Sequence, residues 1–411
     1  MSTEHINKPV NKSLKSFYNK KINKAKERIT NKLLVNRGIV KIKNLHLMMN
    51  SLYSKIFIEF INKHFDINDH YFLIWGWESD KALHINPDDY SNVEYKGYLE
   101  TIVYCNISDK VFVHYLSDEK AYVINACGTP EKFYWIFWGY DFYSKINIQL
   151  YEKFTKDLMI SLGDDIQYNN ENNQKHIKNA IEQIQYILHY IEEDYYMVKS
   201  KYNTDAKMLP FFYPNAIDYE KLDNVINFEK EELKLKQKYK YVIQVGNSAT
   251  PTNNHLDIFD ILNKKNLNDC CVLTPLSYGF APYSNTLISL GNELLKDKFI
   301  PIESFIQPND YFYLLSQVDV AIMNNIIHQA LGNILALLYL GKKLYINPKS
   351  TTYSFLNRLG FKIYSTEDLD NRTLEEMMTF TDEYKSSNKC LIKYYFNEEN
   401  ARKNMETIFN M

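Results

Sequence analysis

The chain has 411 residues and a formal charge of −2, so its overall balance gives no footing for a nucleic-acid partner. Apolar and aromatic residues make up 45% of it, which excludes wholesale disorder and suits two or three domains with sizeable cores. Cys105, Cys127, Cys270, Cys271 and Cys390 form no CxxC pair and no Cys/His cluster, so neither zinc nor a disulfide framework is expected, and a reducing cytoplasm fits best.

Residues 1–36 form a basic extension, with lysines from Lys8 to Lys32 and Arg28 against Glu4 and Glu27. Its first residues lack the apolar stretch of a secretion signal. Ile22, Ile29, Leu33 and Leu34 suggest a weakly amphipathic helix. Two readings stand: a solvated basic helix or tail, or a foot on an anionic membrane, where each basic residue contributes about 1 kcal/mol. Nucleic acid is disfavoured because the basic residues lie at one end without interleaved aromatics. No run of about 18 apolar residues exists to span a bilayer.

From Gly38 short apolar strands alternate with helices. GIVKIKNL, HYFLIWGW, KVFVHYL, FYWIFWGY, IQYILHY and AKMLPFFYP read as strands; SLYSKIFIEFINKHF and DEKAYVINACG read as helices. One long helix is expected over 141–162, then a polar loop from Gly163, a helix near 191–202, and a linker at 229–238. The second half repeats the alternation, with strands at 241–246, 271–276, 299–302, 319–324 and 342–347 and helices between them. The pattern predicts parallel α/β sheets of Rossmann type. The expected division is an extension (1–36), a first domain (37–225), a second domain (226–395) and a last helix (396–411) crossing back to the first.

Three segments carry candidate chemistry. In YVIQVGNSATPTNNHL a strand runs through Gly246 into a polar loop, Asn247, Ser248 and Asn253, before a helix at His255. That is where parallel sheets bind ligands, although an ordinary capped turn would look the same. In DVAIMNNIIHQALGN a strand leads to a helix start holding His328, Gln329, Gly332 and Asn333. A helical glycine costs about 1 kcal/mol relative to alanine, for which close approach of a diphosphate or of the neighbouring sheet would compensate. His328 reads equally as a cap or surface residue. In KFYWIFWGYDFYSK, Asp141 follows a strand end and either caps a helix or serves as general base.

Together and in this order, the segments resemble the Fuc4NAc transferases, glycosyltransferase family 56. The resemblance rests on Val245-Gly246-Asn247-Ser248 with Asn253-Asn254-His255, on Trp138-Gly139-Tyr140-Asp141, on Pro275-Leu276-Ser277-Tyr278, and on His328-Gln329-Ala330-Leu331-Gly332-Asn333. Val113-His114-Tyr115 echoes a family strand end without its glycine. The resemblance implies a GT-B fold, two facing Rossmann-like domains, and inverting transfer of a deoxyaminosugar from a TDP-sugar to an undecaprenyl-diphosphate-linked oligosaccharide. The second domain would hold the donor, with Gly246, Asn247 and Ser248 at the diphosphate or sugar and Tyr278 near the base. Gln329 to Asn333 would present a helix N-terminus to the phosphates, and neither a metal nor another cofactor is required. The acceptor would lie over the first domain near Asp141, the first choice of base, with His114 the alternative. The enzyme would sit in the cytoplasm on the inner membrane surface, held by its basic N-terminus. Rival expectations are a GT-B transferase with another donor or a non-lipid acceptor, and a non-catalytic sugar-nucleotide-binding protein.

Overall fold

The computed structural model describes residues 12–37, 41–75, 84–146, 148–163, 174–214, 219–223 and 234–411. The expected polar loop at 164–173, linker residues 229–233 and the first residues of the basic extension lie outside them.

Two open, all-parallel sheets make up the core. The first comprises β1 (Ile42–Met49), β2 (His70–Trp75), β3 (Val93–Tyr95), β4 (Ser108–His114), β5 (Phe133–Ile136), β6 (Tyr186–His189) and β7 (Lys207–Pro210), in the order β3-β2-β1-β4-β5-β6-β7. The second comprises β8 (Tyr241–Val245), β9 (Cys270–Pro275), β10 (Phe299–Ile302), β11 (Val320–Met323), β12 (Lys343–Ile346) and β13 (Tyr364–Ser365), in the order β10-β9-β8-β11-β12-β13. Strands covered on both faces must be largely apolar at successive positions, and the central strands are, apart from the histidines of the first sheet. Leu45, Leu47, Val111 and Val113 fill one face of the first sheet, while Met48 and Phe112 fill the other. Val242, Ala321 and Met323 face one way in the second sheet, Ile243, Val245 and Ile322 the other.

Three expectations need revision. The single helix over 141–162 is two, Tyr140–Tyr143 and Lys153–Ser161, because the intervening chain turns to meet the second domain. There the Glu152 N–H donates to Asn254 Oδ1 at 2.8 Å, and Asp257 accepts from the N–H groups of Phe154 and Thr155. The strand expected from Gly38 begins at Ile42, after a bend at Lys41, while residues 38–40 lie outside the described ones. The apolar stripe of the basic helix (Lys12–Arg37) is not free for a membrane: Ile29 and Leu33 are buried in the first core, with Ile22 and Ala25 against it. Arg28 and Lys32 pair with Glu100 and Glu94, which leaves Lys24 and Lys26 on its exposed face.

The last helix, Glu398–Asn410, packs Ala401, Met405 and Ile408 among Phe57, Phe72 and Phe112 of the first domain. Lys110 Nζ donates to the carbonyls of Ile408 and Phe409 at its C-terminal end, where a cation is favoured. Among the described residues no helix is long and apolar enough to cross a membrane.

Candidate functional site

Strand order reverses between β8 and β11, so the crevice at their carboxyl ends is where this topology admits a ligand. Gly246 leaves β8 with φ +67°, and a Cβ there would lie 2.4 Å from His255 Nε2 and 3.0 Å from Asn253 Oδ1. The protein groups crowding this glycine are thus His255 and Asn253. Asn253 is fully buried and organises the loop: its amide donates to Ser248 O, Ser248 Oγ and Thr250 O, and its oxygen accepts from Asn247 N. Asn253 and Ser248, the latter bonded to Thr250 Oγ1, therefore fix the shape of this loop from within. Asn247 is different. Its Nδ2 donates to the Tyr278 hydroxyl at 3.2 Å, while its Oδ1 is buried without a protein partner. Asn325 Oδ1, at the end of β11, is also buried and unpartnered. Tyr278 is 60% exposed and is steered over the loop by Gly279, whose φ of +133° lets the chain press against Ala249.

The helix after β11, Leu331–Tyr339, starts at Ala330 in the left-handed region without a side-chain cap. Its first N–H groups thus have no side-chain cap from that residue, an arrangement that suits an anion. A Cβ on Gly332 would meet nothing within 4 Å, so this exposed glycine does not serve a close approach to the neighbouring sheet. Gln329 accepts from Thr252 Oγ1 and Asn333 from the Tyr311 hydroxyl, fixing the approach to that helix.

Both expected bases are corrected by their surroundings. Asp141 has no exposure: Oδ2 accepts from Leu116 N at 2.9 Å and Trp135 Nε1 at 2.8 Å, and Oδ1 from Trp138 N at 3.2 Å. Burial raises its pKa against the pull of those donors. It is a loop-organising carboxylate with no path to an acceptor hydroxyl. His114 is 2% exposed and both ring nitrogens are engaged, Nε2 with His46 and Nδ1 with Tyr213. It cannot contact a substrate directly.

The domains also meet at a cluster of which the sequence singled out only His328, and there as part of the helix start rather than as a partner of the first domain. His189 ends β6, and its Nε2 lies 2.7 Å from Asp194 Oδ2 in the first turn of helix Glu192–Lys201. His328, crossing from the second domain, places Nδ1 3.3 Å from the same oxygen and Nε2 3.0 Å from the Tyr190 hydroxyl. Tyr143 donates to Asp194 Oδ1 and contacts Thr351. Burial acts against the Asp194 charge, but the hydrogen bond from His189 and the neighbouring His328 ring hold its carboxyl far below the usual range. His189, Asp194 and His328 offer ligand atoms within 4.8 Å of one another, so a cation would find donors here; as arranged, they form a hydrogen-bonded latch between the domains. The histidine of HYIEED at a strand end, with an acid in the following helix turn, was the available signal. Tyr53 and Trp138, which follow the carboxyl ends of β1 and β5, meet edge to face with ring centroids 5.7 Å apart, and Trp138 Nε1 is buried and unpartnered.

No protein-family model matches the sequence, and no curated protein matches it. Solved structures do match in fold. The N-terminal domain of Candida albicans trehalose-6-phosphate phosphatase is 12% identical, with a TM-score of 0.60 over 91% of this chain and 98% of that one. Anabaena Alr3699/HepE, in complex with UDP and glucose, is 10% identical with a TM-score of 0.60 over 90% of this chain and 100% of its own. WaaG, a glycosyltransferase involved in lipopolysaccharide biosynthesis, is 10% identical with a TM-score of 0.53 over 90% and 99%. The fold is GT-B, two parallel-stranded domains facing each other across a cleft.

Proposed function

We propose that the protein is a glycosyltransferase that binds a nucleoside-diphosphate sugar on its second domain and transfers the sugar to an acceptor over the first. One observation carries this reading. At the switch point of the second sheet an uncapped helix start with an exposed glycine adjoins a loop whose Asn247 Oδ1 is buried and unpartnered, beneath an exposed Tyr278. Such an assembly offers backbone N–H groups to a diphosphate, an amide oxygen to a sugar or base hydroxyl, and an aromatic face to a ring. Charge on the departing diphosphate would be met by those N–H groups, so transfer would need no metal. The UDP in the HepE complex supports this class of donor.

More finely, the donor is a TDP-linked deoxyaminosugar of Fuc4NAc type and the acceptor an undecaprenyl-diphosphate-linked oligosaccharide, with inversion. The motifs quoted for family 56 support that choice. The exposed lysines of the first helix support work at an anionic inner membrane surface, by charge rather than by apolar insertion. A non-catalytic sugar-nucleotide-binding role is favoured by a different fact: both expected bases are buried and satisfied. Incubation of the full chain with TDP- and UDP-sugars and a lipid-linked acceptor, read by mass spectrometry, decides between them. A mass gain of one sugar on the acceptor is expected. Donor binding without transfer to any acceptor or water supports the binding protein instead.

A further inference from the structure

His46, His70 and His114 stand on the neighbouring strands β1, β2 and β4, and His46 stacks between Phe72 and Phe112. Their rings join in a row. His70 Nδ1 lies 3.1 Å from His46 Nε2, His46 Nδ1 lies 3.1 Å from His114 Nε2, and His114 Nδ1 lies 3.0 Å from the Tyr213 hydroxyl. The Tyr213 hydroxyl interacts in turn with the Ser54 side chain. Ser54 Oγ is 2.9 Å from Ser51 Oγ, and Ser51 is the half-buried cap residue at the carboxyl end of β1. The row therefore runs from the sheet interior to the switch point between β1 and β4, the edge where the first domain would meet an acceptor.

Three imidazoles among phenylalanines are a costly way to fill a sheet face, since apolar side chains need no partners there. Burial pushes all three away from the charged form, His70 to about 3 and the other two well below their ordinary range. A row of neutral imidazoles ending in hydroxyls has two polarities, each with every hydrogen bond made. Passing from one to the other shifts every proton one place and leaves no charged ring behind.

We propose that Ser51, Ser54, Tyr213, His114, His46 and His70 form a proton relay that takes the proton of the acceptor hydroxyl during transfer, an inference that rests on the glycosyltransferase reading. As the acceptor oxygen bonds to the anomeric carbon, the bond from that carbon to the donor phosphate breaks and its electron pair leaves with the nucleoside diphosphate. The acceptor proton passes to Ser51 Oγ. Each member then gives its own proton to the next, and His70 releases one to solvent on the side of Asp66, an exposed carboxylate whose charge acts on that ring. Ser51 alone touches substrate; the histidines act through it.

His46→Gln keeps a donor and an acceptor at the centre of the row but cannot exchange them by tautomerisation. It is expected to lower kcat about 100-fold or more, the scale of general base catalysis, with donor KM and nucleotide binding unchanged. A kcat within a few-fold of wild type in a folded variant overturns the relay. A second measurement needs no activity and no variant. By NMR of the full wild-type chain, the His46 ring N–H should exchange with water faster than the backbone amides of Leu45 and Leu47. Exchange as slow as those amides overturns the relay. Absence of transfer by wild-type protein overturns the enzymatic reading separately, so the two failures are told apart.

Discussion

Asp141→Asn replaces one carboxylate oxygen with an amide at a position that has no exposure and three N–H donors aimed at it. An amide oxygen placed at Oδ2 can still accept from Leu116 N and Trp135 Nε1. Its NH2 group then points at Trp138 N–H, leaving a buried donor unsatisfied at about 1–3 kcal/mol. The two surviving bonds fall from charge-assisted to neutral strength, about 1 kcal/mol each. Lys120 adds to the loss. It is 1% exposed, burial lowers its pKa to about 7, and the Asp141 charge opposes that shift. The sum is about 3–5 kcal/mol, a large share of the 5–15 kcal/mol typical of a domain. Urea unfolding should show a lower midpoint with an unchanged slope. Turnover per folded molecule, measured well below the melting temperature, should stay within about tenfold of wild type. A general base behaves in the opposite way: its removal costs about 10²–10⁴ in rate with little change in stability. A stable Asp141→Asn protein whose rate falls on that scale would refute the assignment.

Asn247→Ala removes the buried unpartnered oxygen and the bond to Tyr278; nucleotide affinity measured by calorimetry should fall roughly tenfold, about 1.4 kcal/mol, and unchanged affinity would place the ligand elsewhere. Gly332→Asp puts a carboxylate on an open first turn, so the ligand-free protein should gain up to about 1 kcal/mol while nucleoside-diphosphate binding is lost; a variant that binds normally would exclude phosphates from this helix. Acid should destabilise the protein, because burial lowers the pKa of His70 and His255 to about 3 in the folded state, against an ordinary value of 6.5. The unfolded chain then binds more protons below pH 6.5, so each such histidine takes about 1.4 kcal/mol per pH unit from stability as pH falls from 6.5 toward 3. Denaturation midpoints that stay flat across that window would show these rings to be solvated.

The second sheet was legible because its strands are apolar runs of four or more residues, closed by Gly246, Pro275 or an Asn pair. The first was less so. β3 has only three residues, too few for any period to show, and the helix Tyr98–Ile107 between β3 and β4 carries no cap signal beyond Gly97; in the second sheet the two-residue β13 was missed for the same reason. The split of the 141–162 helix is a tertiary effect, imposed by Asn254 and Asp257 drawing the chain across to the second domain. At the site, the Gly246 loop and the His328–Asn333 helix start came from one local pattern each. The Asp194 latch and the histidine row did not, because their members lie far apart in sequence: the latch joins a strand end, a helix turn and a loop of the other domain, and the row joins three neighbouring strands at staggered positions. Local pattern also cannot tell a satisfied carboxylate from an exposed one, which is why Asp141 looked catalytic.

A thermal-shift panel of TDP, UDP, GDP and CMP on the full chain tests the central claim most directly. A ligand that binds only the folded state adds about 2.7 kcal/mol at 100 times its dissociation constant. A clear upward shift with TDP or UDP is expected, and it should disappear in Gly332→Asp. A folded wild-type protein whose melting temperature none of the four moves would contradict a nucleotide-sugar site on the second domain.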